Sequence, residues 1–487
     1  MSATSSSPTS PVQRNFPRPQ HNCLECKRLK RACDKKLPCG KCEKAGRNCE
    51  YRDFGDDGVF GPISAAKDIH SLAYGTLLDI FVNKQGIKEA VSSYFDGVNT
   101  WFTVVERAAF ERELETHWEN LRAETSAVAL CMALIARPPN QKSSKGMGDT
   151  VYPSTKAILS LVQSRVPIST KMLQAELLIA MYEFSHSMPQ QAYLSLGRCI
   201  QMTKAMGWHG ATFWSAERQM SRPADLKLCS ILWWAIVHLD CLLNVAYQDP
   251  EIQAYPMNTI GLDWIPFPEA VDQLFSGSQF QIGAQNQRFR DTDSDQMAGV
   301  IFPEAVSAWY LFQVLQRLSN PAVQNTESRR DLSNQIFQHM KDVGRSRWRT
   351  CDRAVGTDLI TLMKLHQPRL TGIPDPLTMM IDSSHVEDVT RMRTVIDVIH
   401  GKAGKVAQVE ELDRGAVDPS WAFAMCYASE LLISYGANTL QDPNWFQKVS
   451  DLRAALERVS KRWKIAEEYC RQVTIRLDNR LTAGFVN

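Results

Sequence analysis

The dominant pattern along this chain is the recurrence of apolar residues every three to four positions, as on one face of an α-helix. The alternating pattern of β-strands and the Asn-Gly signal of hairpins are scarce. The sequence therefore predicts a mainly α fold. Helices are predicted over 70–82, 86–96, 107–136, 154–165, 171–186, 189–206, 224–247, 303–319, 328–344, 385–400, 420–436 and 446–478.

Three stretches lack this periodicity. Residues 1–20 are rich in Ser, Thr and Pro, which predicts a disordered tail, and the glycines of residues 53–69 predict a flexible linker. Residues 275–298 are polar with interspersed Gly and Ser, which predicts a disordered loop inside the helical region. The chain thus divides into the tail, a cysteine-rich module at 21–52, the linker, and a large all-α domain at 70–487.

One predicted helix is apolar on nearly all sides. The stretch from Ile231 to Tyr247 is interrupted by His238 and Asp240, which favours a buried helix over a membrane span, so no membrane partner is predicted. A buried carboxylate is costly without a partner, so Asp240 is expected to have one. The chain also holds 17 Met and 12 Trp residues, which could line an effector pocket, although core packing is favoured.

The last predicted helix carries a heptad seam. Its apolar positions repeat at alternating steps of four and three, as in a coiled coil. Trp and Ala suit the core of a coiled-coil dimer poorly, so packing inside the domain is favoured. The seam comprises Leu452, Leu456, Val459, Trp463, Ala466, Cys470, Val473 and Leu477.

Charge is distributed unevenly between the two ends. Residues 1–52 hold 12 Lys and Arg against 4 Asp and Glu, whereas the remainder holds 43 against 49. A basic N-terminal segment on a mildly acidic body indicates a module that binds a polyanion. The first 20 residues lack the apolar core of a signal peptide, so reduced thiols are expected.

Six of the 13 cysteines lie between Cys23 and Cys49, in two copies of C-x2-C-x6-C separated by five residues. Thiolates suit zinc, and structural zinc takes four ligands. Six thiolates satisfy two zinc ions if two of them bridge. A segment of about 30 residues needs such a metal to fold. A disulfide framework, an iron–sulfur site and a zinc module for protein contacts are the alternatives.

This order of cysteines resembles the fungal Zn2Cys6 binuclear-cluster transcription factors. The resemblance implies two Zn²⁺ ions as cofactors, with the first and fourth cysteines bridging them. It also implies that Pro38 shapes the turn between the two halves. The implied ligands are Cys23 and Cys39 as bridges, Cys26 and Cys33 on one metal, and Cys42 and Cys49 on the other.

The same resemblance implies a DNA-contacting helix over KRLKRA, between the second and third cysteines. In the family, the lysine four positions after the second cysteine reads a CGG-type triplet in double-stranded DNA, and here this residue is Lys30. Lys27, Arg28 and Arg31 are predicted to contact phosphates, which give affinity without sequence information. Ala32 departs from the usual pattern, since that position is commonly basic in the family.

The body resembles the fungal regulatory domain that accompanies these clusters, over 92–115, 192–209 and 226–245. The resemblance implies a nuclear, zinc-dependent transcription factor acting on RNA polymerase II genes, for instance in a metabolic or secondary-metabolite gene cluster. A homodimer, a small-molecule effector and a co-regulator are candidate partners. No common hydrolase, nucleotide-binding or metalloprotease motif occurs, which favours a protein that is not an enzyme. One alternative is a zinc-containing scaffold in chromatin that does not read DNA. Another is an enzyme whose helical domain (70–487) acts on a small molecule, while the cysteine-rich module (21–52, called the head below) only directs it to chromatin.

Overall fold

The computed structural model divides into two compact units, Met1–Asp68 and Ile69–Asn487, and each is described by itself. The predicted tail, linker residues 53–64 and loop residues 275–295 lie outside the residues that the structure describes. The described residues are 23, 25–26, 29, 31–36, 38–47, 49, 65–81, 83–139, 151–210, 212–214, 223–247, 296–319, 326–345, 352–370, 383–408 and 417–484.

The regular structure of the described residues is helical, and no β-strand occurs among them, which confirms the mainly α prediction. Short 3₁₀ turns lie at Val98–Thr100 and Trp118–Asn120. The α-helices are α1 (Gly40–Lys44), α2 (Ala65–Phe81), α3 (Lys84–Asp96), α4 (Arg107–Thr116), α5 (Ala123–Ala136), α6 (Tyr152–Arg165), α7 (Thr170–Ser185), α8 (Pro189–Ala205), α9 (Pro223–Ala246), α10 (Gln296–Ser319), α11 (Thr326–Arg345), α12 (Asp352–Leu370), α13 (Ser383–Gln408), α14 (Ser420–Tyr435), α15 (Trp445–Val459) and α16 (Lys464–Gly484).

The core of the second unit follows a row of helices packed side by side. Helix α5 packs on α3 and α7, α9 on α7 and α10, α12 on α10 and α14, and α16 on α14. Helices α5, α7 and α14 bury nearly every residue because their sequences are apolar on all sides. Amphipathic helices such as α15 cover this row, with one apolar face buried.

Polar residues fix where several helices begin. The side chain of Asn83 accepts a hydrogen bond from the Gly86 N–H at 2.9 Å at the start of α3. The Ser169 hydroxyl accepts one from the Met172 N–H at 3.3 Å at the start of α7. Helix α8 begins with Pro189, whose ring presets a helical φ where no N–H partner is needed.

Two predicted long helices are each divided in two. The segment 107–136 forms α4 and α5, and the segment 446–478 forms α15 and α16, which meet at a turn. Buried Arg462 in that turn donates hydrogen bonds to the carbonyls of Ile135 at 2.5 Å and Arg137 at 3.5 Å, which caps the end of α5. The heptad seam therefore spans two helices, and its apolar side chains face the domain interior rather than a coiled-coil partner.

Two other helix boundaries and one whole helix differ from the prediction. Helix α2 begins at Ala65, inside the predicted linker, and α10 begins at Gln296, inside the predicted loop. Helix α12 was not predicted at all. Its buried face carries Arg353, Asp358 and Lys364 among apolar residues, so the apolar periodicity that marks a helix is weak.

Helix α9 contains a segment, Asp225–Ala246, that is apolar and long enough for a membrane span by composition and length. Of its most apolar window, 83% is buried against other parts of the structure, as in a core helix. The expected partner of Asp240 on this helix is absent, because its carboxylate has no hydrogen bond or ion pair among the described residues. Burial instead raises the pKa of Asp240 to about 8, so the group is largely protonated at neutral pH.

Replacing Asp240 with asparagine should flatten the pH dependence of stability. Because the folded pKa lies above the unfolded one, the folded state holds an extra proton from about pH 4 to pH 8, so stability falls as pH rises. Between these pH values the unfolding free energy of the wild type should fall by about 1.4 kcal/mol per pH unit, and the variant should not show this fall. The variant should therefore be more stable than the wild type at pH 8. Urea unfolding at several pH values measures the slope. Asp331→Asn, at an exposed position on α11, should leave it unchanged, and equal slopes for wild type and Asp240→Asn would contradict the assignment.

Candidate metal centre and nucleic-acid interface

The six N-terminal cysteines form two groups of four sulfur atoms. One group is Cys23, Cys26, Cys33 and Cys39, and the atoms of each group lie within 4.8 Å of one another. The other group takes Cys42 and Cys49 in place of Cys26 and Cys33, so Cys23 and Cys39 belong to both. Cys23 and Cys39 are the two residues that the family resemblance implies as bridges, and they are the two that both groups contain.

The sulfur separations fit tetrahedral zinc. Cys23 Sγ lies 3.7 Å from Cys39 Sγ and 3.6 Å from Cys42 Sγ, and Cys26 Sγ lies 3.7 Å from Cys39 Sγ. Four sulfurs at about 2.3 Å from one zinc ion would be about 3.8 Å apart. A disulfide needs about 2.05 Å, and all six thiols are free. The residues present therefore fit zinc and not a disulfide framework.

The two halves repeat the same backbone contacts. The Sγ of Cys23 accepts a hydrogen bond from the Cys26 N–H at 3.4 Å, and the Sγ of Cys39 accepts one from the Cys42 N–H at 3.4 Å. In the first half, the Arg31 N–H donates a hydrogen bond to the Cys26 carbonyl at 2.9 Å. In the second half, the Arg47 N–H donates the equivalent bond to the Cys42 carbonyl at 3.0 Å. Cys39 is the N-cap of α1, and Cys23 accepts the equivalent N–H in the first half.

The pKa values of Cys39 and Cys26 are shifted in opposite directions. The Cys42 N–H lowers the pKa of Cys39 to about 6, despite burial, which favours the thiolate that a metal requires. Burial, together with contacts to the sulfurs of Cys23 and Cys39, raises the pKa of Cys26 to about 12. A divalent cation would reverse this cost, because ligating thiols deprotonate on the metal.

The connection between the halves is closed by a residue that the sequence analysis missed. The Asp34 carboxylate accepts hydrogen bonds from the N–H of Gly40 at 3.0 Å and of Lys36 at 3.3 Å. The Gly40 bond is the main reason that the pKa of Asp34 is lowered. A Cβ at position 40 would lie 3.0 Å from Asp34 Oδ2, so glycine leaves room for this contact. The carboxylate shapes this turn in addition to Pro38, and an Asp in a short loop is the signal that could have predicted it.

Comparison with known proteins agrees with this geometry. Residues 21–56 match the family described as Fungal Zn(2)-Cys(6) binuclear cluster domain. Residues 91–335, half of the chain, match the Fungal specific transcription factor domain. The chain belongs to the fungal zinc-cluster transcription factors. A stretch of 123 residues is 24% identical to Transcription factor BOA15 of Botryotinia fuckeliana (strain B05.10), covering 25% of this chain and 68% of that protein.

Of the predicted DNA contacts in this zinc-cluster factor, Lys30, Lys27 and Arg28 lie outside the described residues. Arg31 is exposed on the head. Its counterpart in the second half, Arg47, instead donates a hydrogen bond to Glu25 Oε1 at 3.3 Å, which ties the two halves together. The arginines at equivalent positions are therefore in different surroundings. The head also exposes Lys35, Lys36, Lys41 and Lys44.

The helical domain of the zinc-cluster factor contains a serine–histidine–aspartate row. Ser333 Oγ lies 2.9 Å from His366 Nε2, and His366 Nδ1 lies 2.6 Å from Asp388 Oδ1, the order of contacts in a serine hydrolase. The Ser333 side chain is fully buried, however, and Arg391 also donates a hydrogen bond to its oxygen. A serine without exposed surface cannot reach a substrate, so this row joins α11, α12 and α13 structurally.

Proposed function

We propose that this zinc-cluster factor binds two Zn²⁺ ions in its head and uses the loaded head to read CGG-type triplets in double-stranded DNA. It would act in the nucleus on RNA polymerase II genes, for instance those of a metabolic or secondary-metabolite cluster. The observation that carries the proposal is the pair of four-sulfur groups that share Cys23 and Cys39. That arrangement is the one in which six thiolates give each of two ions four ligands.

The proposed ligand sets follow the two groups. Cys23 and Cys39 would bridge the ions, Cys26 and Cys33 would complete one site, and Cys42 and Cys49 the other. When bound, zinc supplies the folding energy that a head of this size lacks, about 10–16 kcal/mol in small peptides. Six thiolates and two Zn²⁺ ions carry a net charge of about −2. The surrounding Lys and Arg residues outweigh it and leave the head positive.

The proposed division of labour among the cations follows their chemistry. Lys30 would contact guanine N7 and O6 in the major groove. Lys27, Arg28 and Arg31 would contact phosphates. The exposure of Arg31 supports this role, because its side chain has no ion pair among the described residues. Contacts of this kind give affinity that falls with salt but carry no sequence information.

Lys30→Ala and Arg31→Ala should therefore have different effects on DNA binding. Lys30→Ala should reduce the preference for a CGG duplex over a permuted duplex by about 5- to 150-fold, since one base contact is worth about 1–3 kcal/mol. Arg31→Ala should weaken binding to both duplexes alike and reduce the salt slope by about one. Fluorescence anisotropy of the zinc-loaded full chain over a salt series measures both effects. Lys88→Ala, in the helical domain, is the control.

The alternative is a zinc-containing scaffold in chromatin that makes protein contacts and does not read DNA. It would be favoured if the zinc-loaded chain bound CGG and permuted duplexes equally and Lys30→Ala changed neither. The helical domain would regulate the head through an effector, a co-regulator or a second copy of the chain. Turnover of a metabolite by the full chain would instead indicate an enzymatic role.

A further inference from the structure

A cavity of about 220 Å³ lies between helices α14 and α16, beside the C-terminal end of α9. Among the described residues, neither methionine nor tryptophan lines it, so the abundance of these residues in the sequence does not mark it. The cavity is smaller than the sites of about 300–1,000 Å³ that take drug-sized ligands. Its volume therefore suits a molecule with a single ring and excludes a nucleotide.

The apolar part of the lining combines aromatic rings with aliphatic side chains. Phe423 and Tyr427, one turn apart on α14, have stacked rings with centroids 5.6 Å apart and planes inclined by 28°. Val245 and Ala246, at the end of α9, contribute aliphatic surface. Ring pairs add to the free energy of simple area burial. This part of the lining therefore favours an aromatic ring on the ligand.

The polar part of the lining offers two oxygen acceptors that are unused within the described residues. Glu430 Oε1 receives the Cys426 thiol and lies 3.2 Å from Arg476 Nη2, whereas Glu430 Oε2 has no such partner. Gln472 donates a hydrogen bond through its Nε2 to Glu468 at 3.0 Å, which leaves its Oε1 available. A ligand in this cavity would therefore find acceptors for its own N–H groups.

A guanidinium with unused donors lies beside these acceptors. The Arg476 side chain is 54% exposed, so this end of the cavity is open to solvent. Its contact with Glu430 involves only Nη2, and its other nitrogens have no partner in the described part of the chain. A carbonyl oxygen on a ligand could accept from one of them. The open end thus presents both kinds of hydrogen-bonding group.

The charges around the cavity favour a neutral ligand. Burial raises the pKa of Glu430, but its ion pair with Arg476 favours the ionised carboxylate, which would repel an anion. Arg476 would repel a cation, and so would Lys364, whose Nζ lies 4.3 Å from the centre of the Tyr427 ring. Burial lowers the pKa of Lys364 to about 8, so it remains mostly charged at neutral pH. An uncharged group with N–H donors and a carbonyl acceptor meets these conditions.

We propose that this cavity binds a small neutral aromatic carboxamide. The two amide N–H groups would donate to Glu430 Oε2 and Gln472 Oε1. The amide carbonyl would accept a hydrogen bond from Arg476, and the ring would lie against Phe423. The regulatory meaning of the site rests on the function proposed above, whereas binding itself does not.

Four probes of nearly equal size test the proposal on the zinc-loaded full chain by ligand-observed NMR titration at neutral pH. Benzamide carries both the donors and the acceptor. Acetophenone lacks the N–H groups, benzoate replaces them with a charged oxygen, and benzamidinium replaces the carbonyl with a charged donor. The wild type should bind benzamide about tenfold more tightly than each of the other three.

Two variants should change this preference in opposite directions. Glu430→Gln removes the negative charge beside Arg476, so it should strengthen benzoate binding about tenfold. Arg476→Gln leaves the Glu430 carboxylate without its guanidinium, so it should strengthen benzamidinium binding by a similar factor. Arg480→Gln, at an exposed position one turn along α16, should retain the preferences of the wild type.

The assay also separates folding from binding, because each variant should gain affinity for one probe and a misfolded chain would gain none. Absence of benzamide binding at millimolar concentration, equal binding of benzamide and acetophenone, or a ranking that neither variant changes would overturn the proposal. No DNA is present, so a negative result here leaves the Lys30 experiment unaffected, and a negative result there leaves this one unaffected.

Discussion

Replacing Cys39 with serine is expected to remove both Zn²⁺ ions from the head and to weaken DNA binding by about a hundredfold or more. Cys39 belongs to both four-sulfur groups, so its loss leaves each proposed site with three thiolates. Replacing Cys49 removes a ligand from one group only, and the four sulfurs of the other group remain. The two variants should therefore differ by one bound ion.

Cys39 has a second role that must be separated from the proposed metal binding. Its sulfur also accepts the Cys42 N–H at the start of α1. Loss of an N-cap costs about 1 kcal/mol, whereas structural zinc contributes about 10–16 kcal/mol, so the metal decides the outcome. Serine retains an oxygen that can cap the helix but is a poor zinc ligand. A large effect of Cys39→Ser is therefore due to the metal.

Native mass spectrometry of the full chain counts the ions, and anisotropy with a CGG duplex measures DNA binding. The wild type should carry two zinc ions, Cys49→Ser one and Cys39→Ser none. Cys470→Ser, in α16, should retain two ions and full DNA affinity, because its thiol is not in either group. One ion on Cys39→Ser together with none on Cys49→Ser would reverse the assignment of the bridging residues.

The repeated backbone conformation of the head could be predicted from its sequence, whereas its side-chain contacts could not. The cysteine spacing repeats after 16 residues, which predicts that the two halves of the head have similar backbone conformations. The structure agrees, since equivalent backbone hydrogen bonds occur in both halves. The closing contacts of Asp34 and the ion pair between Arg47 and Glu25 could not be predicted in this way. They join residues that share no periodic relation, and charged side chains in short loops have many alternative partners.

In the helical domain, apolar periodicity located most helices but failed where polar residues are buried. Helix α12 lies in the interior with Arg353, Thr357 and Asp358 among its buried residues, so the signal that marks a buried face is diluted. The turn between α15 and α16 was missed for a related reason. It is stabilised by Arg462, whose partners on α5 are more than 300 residues away in sequence. Such long-range polar contacts leave no local pattern.

The largest stability effect in the helical domain is expected at Arg353, which is 1% exposed. Its Nε lies 3.5 Å from Asp418 Oδ2, and its Nη1 donates a hydrogen bond to the Trp101 carbonyl at 3.2 Å. Its guanidinium also lies 5.0 Å from the Phe102 ring. Burial raises the pKa of a nearby carboxyl, Glu304, to about 8, so it is largely neutral at pH 7. Burial also raises the pKa of Asp418, which Arg353 counteracts; Asp418 lies nearer to Arg353 than Glu304 does, and is its main counter-charge.

Arg353→Met should destabilise the protein by about 3–5 kcal/mol, because it leaves the Asp418 carboxylate buried without a cation. Adding Asp418→Asn to this variant should recover a large part of the loss, since the stranded charge is then removed. Arg330→Ala, which breaks an ion pair whose arginine is 68% exposed, should cost less than about 1 kcal/mol. Urea denaturation of all three variants measures these changes: the midpoint should shift, and the dependence of the unfolding free energy on urea concentration should stay the same. If the double variant were less stable than Arg353→Met alone, the guanidinium would act through its ring and carbonyl contacts rather than through the buried charge.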